Sequence, residues 1–286
     1  MITPAFLDEL DRVAASQRRQ VDSRFQGEHE SDRRGEGLTF ADYRRYSPGD
    51  DTRLIDWRLY ARTEELYVKQ FEEERDLTVH VLVDGSGSMD FGDEGGTHKF
   101  EYAAKLGLGF AYLAARDHND FRLALLGEGL ERLDRGRSNR GEVLALVDAL
   151  NDHEPTGTVD FRRALADYEG TIGSRSLVLV ASDFLAAPDD VGAGLDALAG
   201  NHLALAHVLA PGEREVPAAG DTVFEGLEAE SSLRTYFGAR LADRYRDRLD
   251  AHVDAVAERA RDVGARHDLV DTGTDFFDAF LDVWDG

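Results

Sequence analysis

The stretch "VLVDGSGSMD" (81–90) ends an apolar run on a carboxylate, Asp84, and follows it with two hydroxyls, Ser86 and Ser88. In an extended loop those serines point the same way, and Gly85 and Gly87 let the backbone come close. A second apolar run, "SLVLVAS" (176–182), delivers Ser182 and then Asp183. Between the two lies "EPTGTVDFRRAL" (154–165), a turn-rich loop presenting Thr156 and Thr158 ahead of a helix. Two carboxylates and several hydroxyls form an oxygen-only set, which suits a hard cation such as Mg²⁺ or Mn²⁺. Neutral hydroxyl ligands leave the ion most of its positive charge, so it can accept a carboxylate from outside. The competing reading is structural: Ser86 and Ser88 cap the next turn, and Asp183 caps a helix.

These residues need a scaffold that brings two strand ends together. From residue 77 onward strands and helices alternate. Strands are expected at 77–83, 121–126, 176–182, 202–209 and 266–270, with 131–133 turning back as a hairpin. Helices are expected at 99–115, 141–150, 160–168, 189–198, 239–263 and 275–283, and a second hairpin at 222–224 and 233–236. Near-continuous apolar strands alternating with helices imply an α/β fold with a mostly parallel central sheet covered by helices on both faces. Ligands in such sheets sit at the carboxyl ends of the strands, where the topology switches. Residues 3–25 show helical spacing behind a Thr3-Pro4 start signal. Residues 26–76 are rich in Arg, Tyr, Asp and Gly, with short strands at 38–40 and 66–71 around the turn Ser47-Pro48-Gly49-Asp50.

Composition narrows the function. The 286 residues carry 33 Lys+Arg against 57 Asp+Glu, a formal net charge of −24. Lysine occurs only at Lys69, Lys99 and Lys105. A chain this acidic is a poor non-specific nucleic-acid binder, because phosphate contacts need a positive face. A solvated acidic surface of the kind found in proteins adapted to high salt accounts for the charge, and a dedicated basic partner is the alternative. Without cysteine there is no disulfide framework and no thiolate zinc site. No stretch is long and apolar enough for a membrane span, and no signal peptide opens the chain, so a soluble cytoplasmic protein is expected.

Several chemistries fail on spacing. Gly85-x-Gly87-x-x-Asp90 lacks the third glycine of a dinucleotide fingerprint, and no phosphate-loop G-x-x-x-x-G-K-[ST] occurs. Position 84 is Asp, so no G-x-S-x-G elbow surrounds Ser86. The nine histidines are scattered without H-E-x-x-H spacing. His80 and His207 fall inside strand runs and read as core residues, while His98 follows the Asp84 loop and could line the site.

Together, Asp84-Gly85-Ser86-Gly87-Ser88, the Gly157-Thr158 loop and Asp183 resemble the metal-ion-dependent adhesion site of the von Willebrand factor A domain. That resemblance implies that Ser86, Ser88 and Thr158 bind the metal. It implies too that Asp84 and Asp183 act largely through water or hydrogen bonds, while a partner supplies a carboxylate. The stretch 35–76 resembles the signature of family 58 of the domains of unknown function. Its blocks are Gly35/Gly37/Phe40, Arg44 to Asp51, Arg53 to Trp57 and Ala61-Arg62-Thr63, just ahead of an A-like domain. That family implies two parts, an N-terminal segment at 1–76 packing on a von Willebrand factor A-like domain at 77–286. Its members are often encoded beside MoxR-type AAA+ ATPases, which implies an adaptor or chaperone-like role.

The arginines of the N-terminal segment alternate with acids, and guanidinium forks pair well with carboxylates. An ion-paired clamp on the A-like domain is one reading; a partner surface carried by Arg44, Arg53, Asp56 and Arg62 is the other. Trp57, Tyr43, Tyr46 and Tyr60 read as the small core of this segment.

The function expected is a non-enzymatic, metal-dependent protein-binding module gripping a carboxylate of a MoxR-type ATPase or its client through Mg²⁺. The alternatives are a phosphatase-like metal hydrolase and a scaffold with an empty metal site. A hydrolase would want a second Asp where Ser86 stands, and a general base from Asp90, Asp93, Glu94 or His98.

Overall fold

The computed structural model describes residues 1–3, 5–13, 38–46, 55–63, 65–73, 78–92, 96–216, 220–225, 227 and 232–285. The chain divides into two compact units, one of Met1–Arg18 with Leu77–Gly286 and the other of Arg19–Asp76. Residues 1–18, grouped above with the N-terminal segment, therefore belong to the larger unit. The cause is packing: helix α1 (5–13) buries Leu7 and Leu10, and Phe6 meets Phe276 edge-on at 5.2 Å.

The larger unit is built on a six-stranded sheet. Its strands are β3 (Thr78–Asp84), β4 (Asp120–Leu126), β5 (Leu130–Arg132), β6 (Leu177–Ser182), β7 (His202–Leu209) and β10 (Arg266–Asp271). Their order is β10-β7-β6-β3-β4-β5, parallel throughout except for the β4–β5 hairpin. Successive side chains of a strand face opposite ways, so β3 feeds two cores. Val79, Val81 and Val83 enter one with α3 (Lys99–Arg116), α4 (Arg140–Asp152) and α9 (Phe276–Asp285). Leu82 enters the other with α5 (Phe161–Glu169), α6 (Pro188–Leu198) and α8 (Ala239–Asp262). Both faces being covered explains the unbroken apolar runs. Gly107 is what lets α3 lie directly on β3: a Cβ there would sit 2.6 Å from Val81.

A short helix α7 (Pro211–Arg214) follows β7, and the hairpin β8 (Gly220–Glu225) with β9 (Ser232–Phe237) precedes α8. After β3 the chain crosses to β4 on one side, whereas β6 lies on the other. The carboxyl ends of β3 and β6 thus flank the point where the strand order reverses, the expected place for a ligand.

The smaller unit is described by an antiparallel pair and one helix. β1 (Leu38–Arg45) pairs with β2 (Tyr67–Glu73), with a bulge between Phe40 and Asp42. Helix α2 (Trp57–Thr63) follows a bridge between Ile55 and Val68. The aromatic core expected here is not formed by Trp57 and Tyr60. Spaced i, i+3 on α2, they leave 60% and 41% of their surface exposed, their rings edge-to-face at 6.2 Å. The turn at 47–50 and the glycine block at 35–37 lie outside the described residues.

Candidate functional site

The parallel register sets the site. Val83 is paired with Ala181, so the next residues, Asp84 and Ser182, leave their strands side by side. Ser182 donates its hydroxyl hydrogen to Asp84 Oδ2 at 2.5 Å, and the Ser86 backbone N–H donates to Oδ1 at 2.8 Å. The same Ser182 Oγ accepts the Phe184 N–H at 2.8 Å. Asp84, Ser86 and Ser182 are each 1% exposed or less. Burial first, and then the charge of Asp183, push the Asp84 carboxyl up to about 6, although the hydrogen bonds it accepts favour its charged form.

Ser86 and Ser88 turn their hydroxyls toward each other, Oγ to Oγ 3.1 Å. The loop is pinned by backbone bonds. Gly85 N–H reaches Leu126 O at 2.8 Å, Gly87 N–H reaches Gly157 O at 3.0 Å, and Thr156 N–H reaches Gly85 O at 3.0 Å. Gly157 has φ +70°, a left-handed conformation glycine adopts without strain. The turn it makes sets Thr158 opposite the serines. Asp160 then caps α5, accepting the Arg163 N–H at 3.1 Å.

The five residues expected at the metal site meet here. Asp84, Ser86, Ser88, Thr158 and Asp183 line one pocket of about 50 Å³, with Val159, Phe161, Leu185 and Ala186 as its apolar wall. The capping alternative loses its support. Ser86 stands at the N-cap of the Gly87–Met89 turn but makes no side-chain cap bond. Asp183 accepts the Leu185 N–H at 3.1 Å, while the N-cap of α6 is Ala187.

Two participants were missed by the sequence reading. Lys99, the first residue of α3, is fully buried and donates to Asp183 Oδ2 and to Glu213 Oε1, both at 2.7 Å. Burial alone would lower its pKa; the two carboxylates outweigh that and hold the ammonium above its ordinary value. Burial raises the Glu213 carboxyl despite the attraction of Lys99. A faint signal was present, since Lys99 is one of three lysines in a chain whose other cations are arginine.

The histidines divide as expected for two of the three. His80 is buried with Nδ1 2.8 Å from the Tyr168 hydroxyl, and burial lowers its pKa to about 4. His207 is fully buried with Nδ1 3.0 Å from His267 Nε2, and burial, then His267, lower its pKa to about 3. His98 lies 3.0 Å from Asp90 Oδ1 and lines a neighbouring pocket with His153, Phe100 and Glu154 rather than the hydroxyl pocket.

In the smaller unit, Asp56 caps α2 by accepting the Leu59 N–H at 3.0 Å. Arg62 is exposed in the last turn of α2, and Arg44 pairs through its backbone with Val68. Arg53, Asp93 and Glu94 lie outside the described residues. Arg45, one of the arginines that alternate with acids in this segment, donates from a single Nη2 to both Glu65 carboxylate oxygens, at 2.7 and 2.9 Å.

Whether the pocket suits a divalent cation is a question of donors. Its polar lining is entirely oxygen, from three hydroxyls and two carboxylates, and no nitrogen ligand faces it. Among the described residues there is no cluster of three or more His, Cys, Asp or Glu side chains that could hold a metal ion, so hydroxyls would have to supply part of any ligand set. The hydroxyl-rich set fits Mg²⁺ or Mn²⁺.

Comparison with known proteins places the chain. The family described as "Protein of unknown function DUF58" matches residues 42–270. The chain belongs to this family. Uncharacterized protein Rv1480 of Mycobacterium tuberculosis and uncharacterized protein Mb1516 of Mycobacterium bovis are each 29% identical over 269 residues, covering 92% of this chain and 83% of theirs. Among solved structures, an aerotolerance-related membrane protein from Bacteroides fragilis is similar at TM-score 0.45 and 12% identity, over 73% of this chain and 97% of that one. A von Willebrand factor type A structure from Catenulispora acidiphila gives 0.44 and 12%, over 77% and 44%. The conserved hypothetical protein BatB from Bacteroides thetaiotaomicron gives 0.42 and 12%, over 73% and 100%. The parallel sheet, its two helical layers and the D-x-S-x-S loop at the sheet's carboxyl edge make the larger unit of this DUF58 chain von Willebrand factor A-like.

The cytoplasmic location expected from the sequence is corrected by these comparisons, because a similar structure is titled a membrane protein. Among the described residues no helix is long and apolar enough to cross a membrane. That observation does not assign the chain to the cytoplasm.

Proposed function

We propose that this DUF58 chain is a non-enzymatic protein-binding module whose grip on a partner depends on a divalent cation, Mg²⁺ or Mn²⁺. The observation that carries the reading is the convergence of Ser86, Ser88, Thr158, Asp84 and Asp183 on one small pocket at the carboxyl edge of the sheet. Ser86, Ser88 and Thr158 would hold the ion directly. Asp84 and Asp183 would hold it through hydrogen bonds and water, since their oxygens already accept bonds from Ser182, the Ser86 N–H, Lys99 and the Leu185 N–H. A bound ion would supply an open coordination position for a carboxylate. Thr158 is exposed at the rim, so an Asp or Glu of a partner can reach it without the sheet opening. Phe161, Leu185 and Ala186 line one side of the same pocket.

The partner we propose is a MoxR-type AAA+ ATPase or its client, on the resemblance of the N-terminal motifs alone. Arg44, Arg53, Asp56 and Arg62 are proposed as a secondary contact. The test is a pull-down of a purified MoxR-type ATPase by the full chain in Mg²⁺ and in EDTA. Retention in Mg²⁺, release by EDTA and loss with Asp84→Ala are expected. Retention that ignores both EDTA and Asp84→Ala would sink the reading.

A further inference from the structure

Lys99 is an unusual place for a cation. It opens an 18-residue helix, where the aligned peptide dipoles already present positive charge. Its side chain is 0% exposed, and its partners Asp183 and Glu213 are 2% and 12% exposed at their side chains. Both carboxylates lie 2.7 Å from the one Nζ, so a single buried ammonium joins the start of α3, the end of β6 and helix α7. Glu213 is itself fixed, its Oε2 accepting the Ala210 N–H at 2.9 Å. A compact ammonium with three donors can serve two carboxylates in so tight a space, where a planar guanidinium would need more room. Asp183 is the shared member: it lines the hydroxyl pocket and accepts from Lys99.

We propose that Lys99 and Glu213 are positioning residues that set the pocket's affinity for a divalent cation and couple it to the α7 segment. The proposal rests on the metal reading above. Lys99 competes with the ion for the negative charge of Asp183, and Glu213 offsets Lys99. Removing the ammonium makes the surroundings one unit more negative, and neutralising Glu213 makes them one unit more positive. Coupling of this kind is reciprocal. A partner that draws Glu213 away from Lys99 weakens metal binding, and metal binding in turn changes the affinity for that partner by the same factor.

The experiment is calorimetric titration of the full chain with Mn²⁺, on wild type, Lys99→Met and Glu213→Gln, with circular dichroism to check folding. One unit charge shielded by a single carboxylate is expected to tighten Mn²⁺ binding about tenfold in Lys99→Met and weaken it about tenfold in Glu213→Gln. The Mn²⁺-induced rise in melting temperature should follow the same order, Lys99→Met above wild type above Glu213→Gln. If Lys99→Met does not fold, the Glu213→Gln shift carries the test. Equal dissociation constants in wild type and the folded variants would overturn the coupling and leave the metal site standing. Absence of binding in all of them would overturn both.

Discussion

The ends of β3 and β6 place the same residue type in the same sheet, with different partners and opposite electrostatics. Asp84 is surrounded by neutral donors, the Ser182 hydroxyl and the Ser86 N–H, and burial drives its pKa up. Asp183 is met by a buried ammonium that Glu213 shares. Equivalent strand ends therefore carry different duties. A carboxylate among dipoles is costly to keep charged until a cation arrives, whereas one beside Lys99 has its countercharge built in. On the metal reading proposed above, the first end would gain from an ion, and the second would be the anchor against which that ion competes.

The comparison breaks most readily at the Lys99 end. Lys99→Met strands the buried Asp183 and the part-buried Glu213 without a cation, and breaking a buried pair from one side costs about 3–5 kcal/mol. Urea unfolding of the metal-free protein should show that loss, and an unchanged midpoint would mean that the triad is not a stabilising element.

The Asp84 end should behave in the reverse sense. Its folded pKa of about 6 stands above the ordinary 3.8, so the folded state holds the proton more tightly. The stability this provides is fully present below the ordinary value and is lost as pH rises through about 6. A difference of that size between folded and unfolded chains is worth about 3 kcal/mol. Without metal, Asp84→Asn should therefore gain on wild type as pH is raised from about 4 to about 7, and saturating Mg²⁺ should abolish that gain. A wild-type-minus-variant difference that is flat with pH would contradict the contrast between the two ends.

A smaller effect should come from the loop facing the serines. Gly157→Ala forces a side chain into φ +70° and places its Cβ 3.1 Å from Glu128. A loss of about 1–2 kcal/mol is expected in thermal or urea unfolding, from the left-handed backbone alone. Wild-type stability in this variant would mean that the loop relaxes without holding Thr158.

Much of this was legible in the sequence. Every strand and helix expected from residue 77 onward is present within a few residues, because buried parallel strands leave unbroken apolar runs and the covering helices leave 3.6-residue periodicity. The five pocket residues were legible because each terminates or follows such a run, or sits in the turn-rich loop between them. Lys99 and Glu213 were not, since Lys99 lies 84 residues from Asp183 and 114 from Glu213, and no local pattern marks a buried ion pair. Trp57 and Tyr60 misled for the opposite reason. Aromatic content suggested a core, but on a helix as short as α2 their i, i+3 spacing puts both on an exposed face.

The most direct test is calorimetric titration of wild type and Asp84→Ala with Mg²⁺ and Mn²⁺. One saturable site in wild type that disappears in Asp84→Ala is the predicted result. Equal binding by both proteins, or none by wild type in the presence of a carboxylate-bearing partner, would contradict a metal-dependent grip at the end of β3.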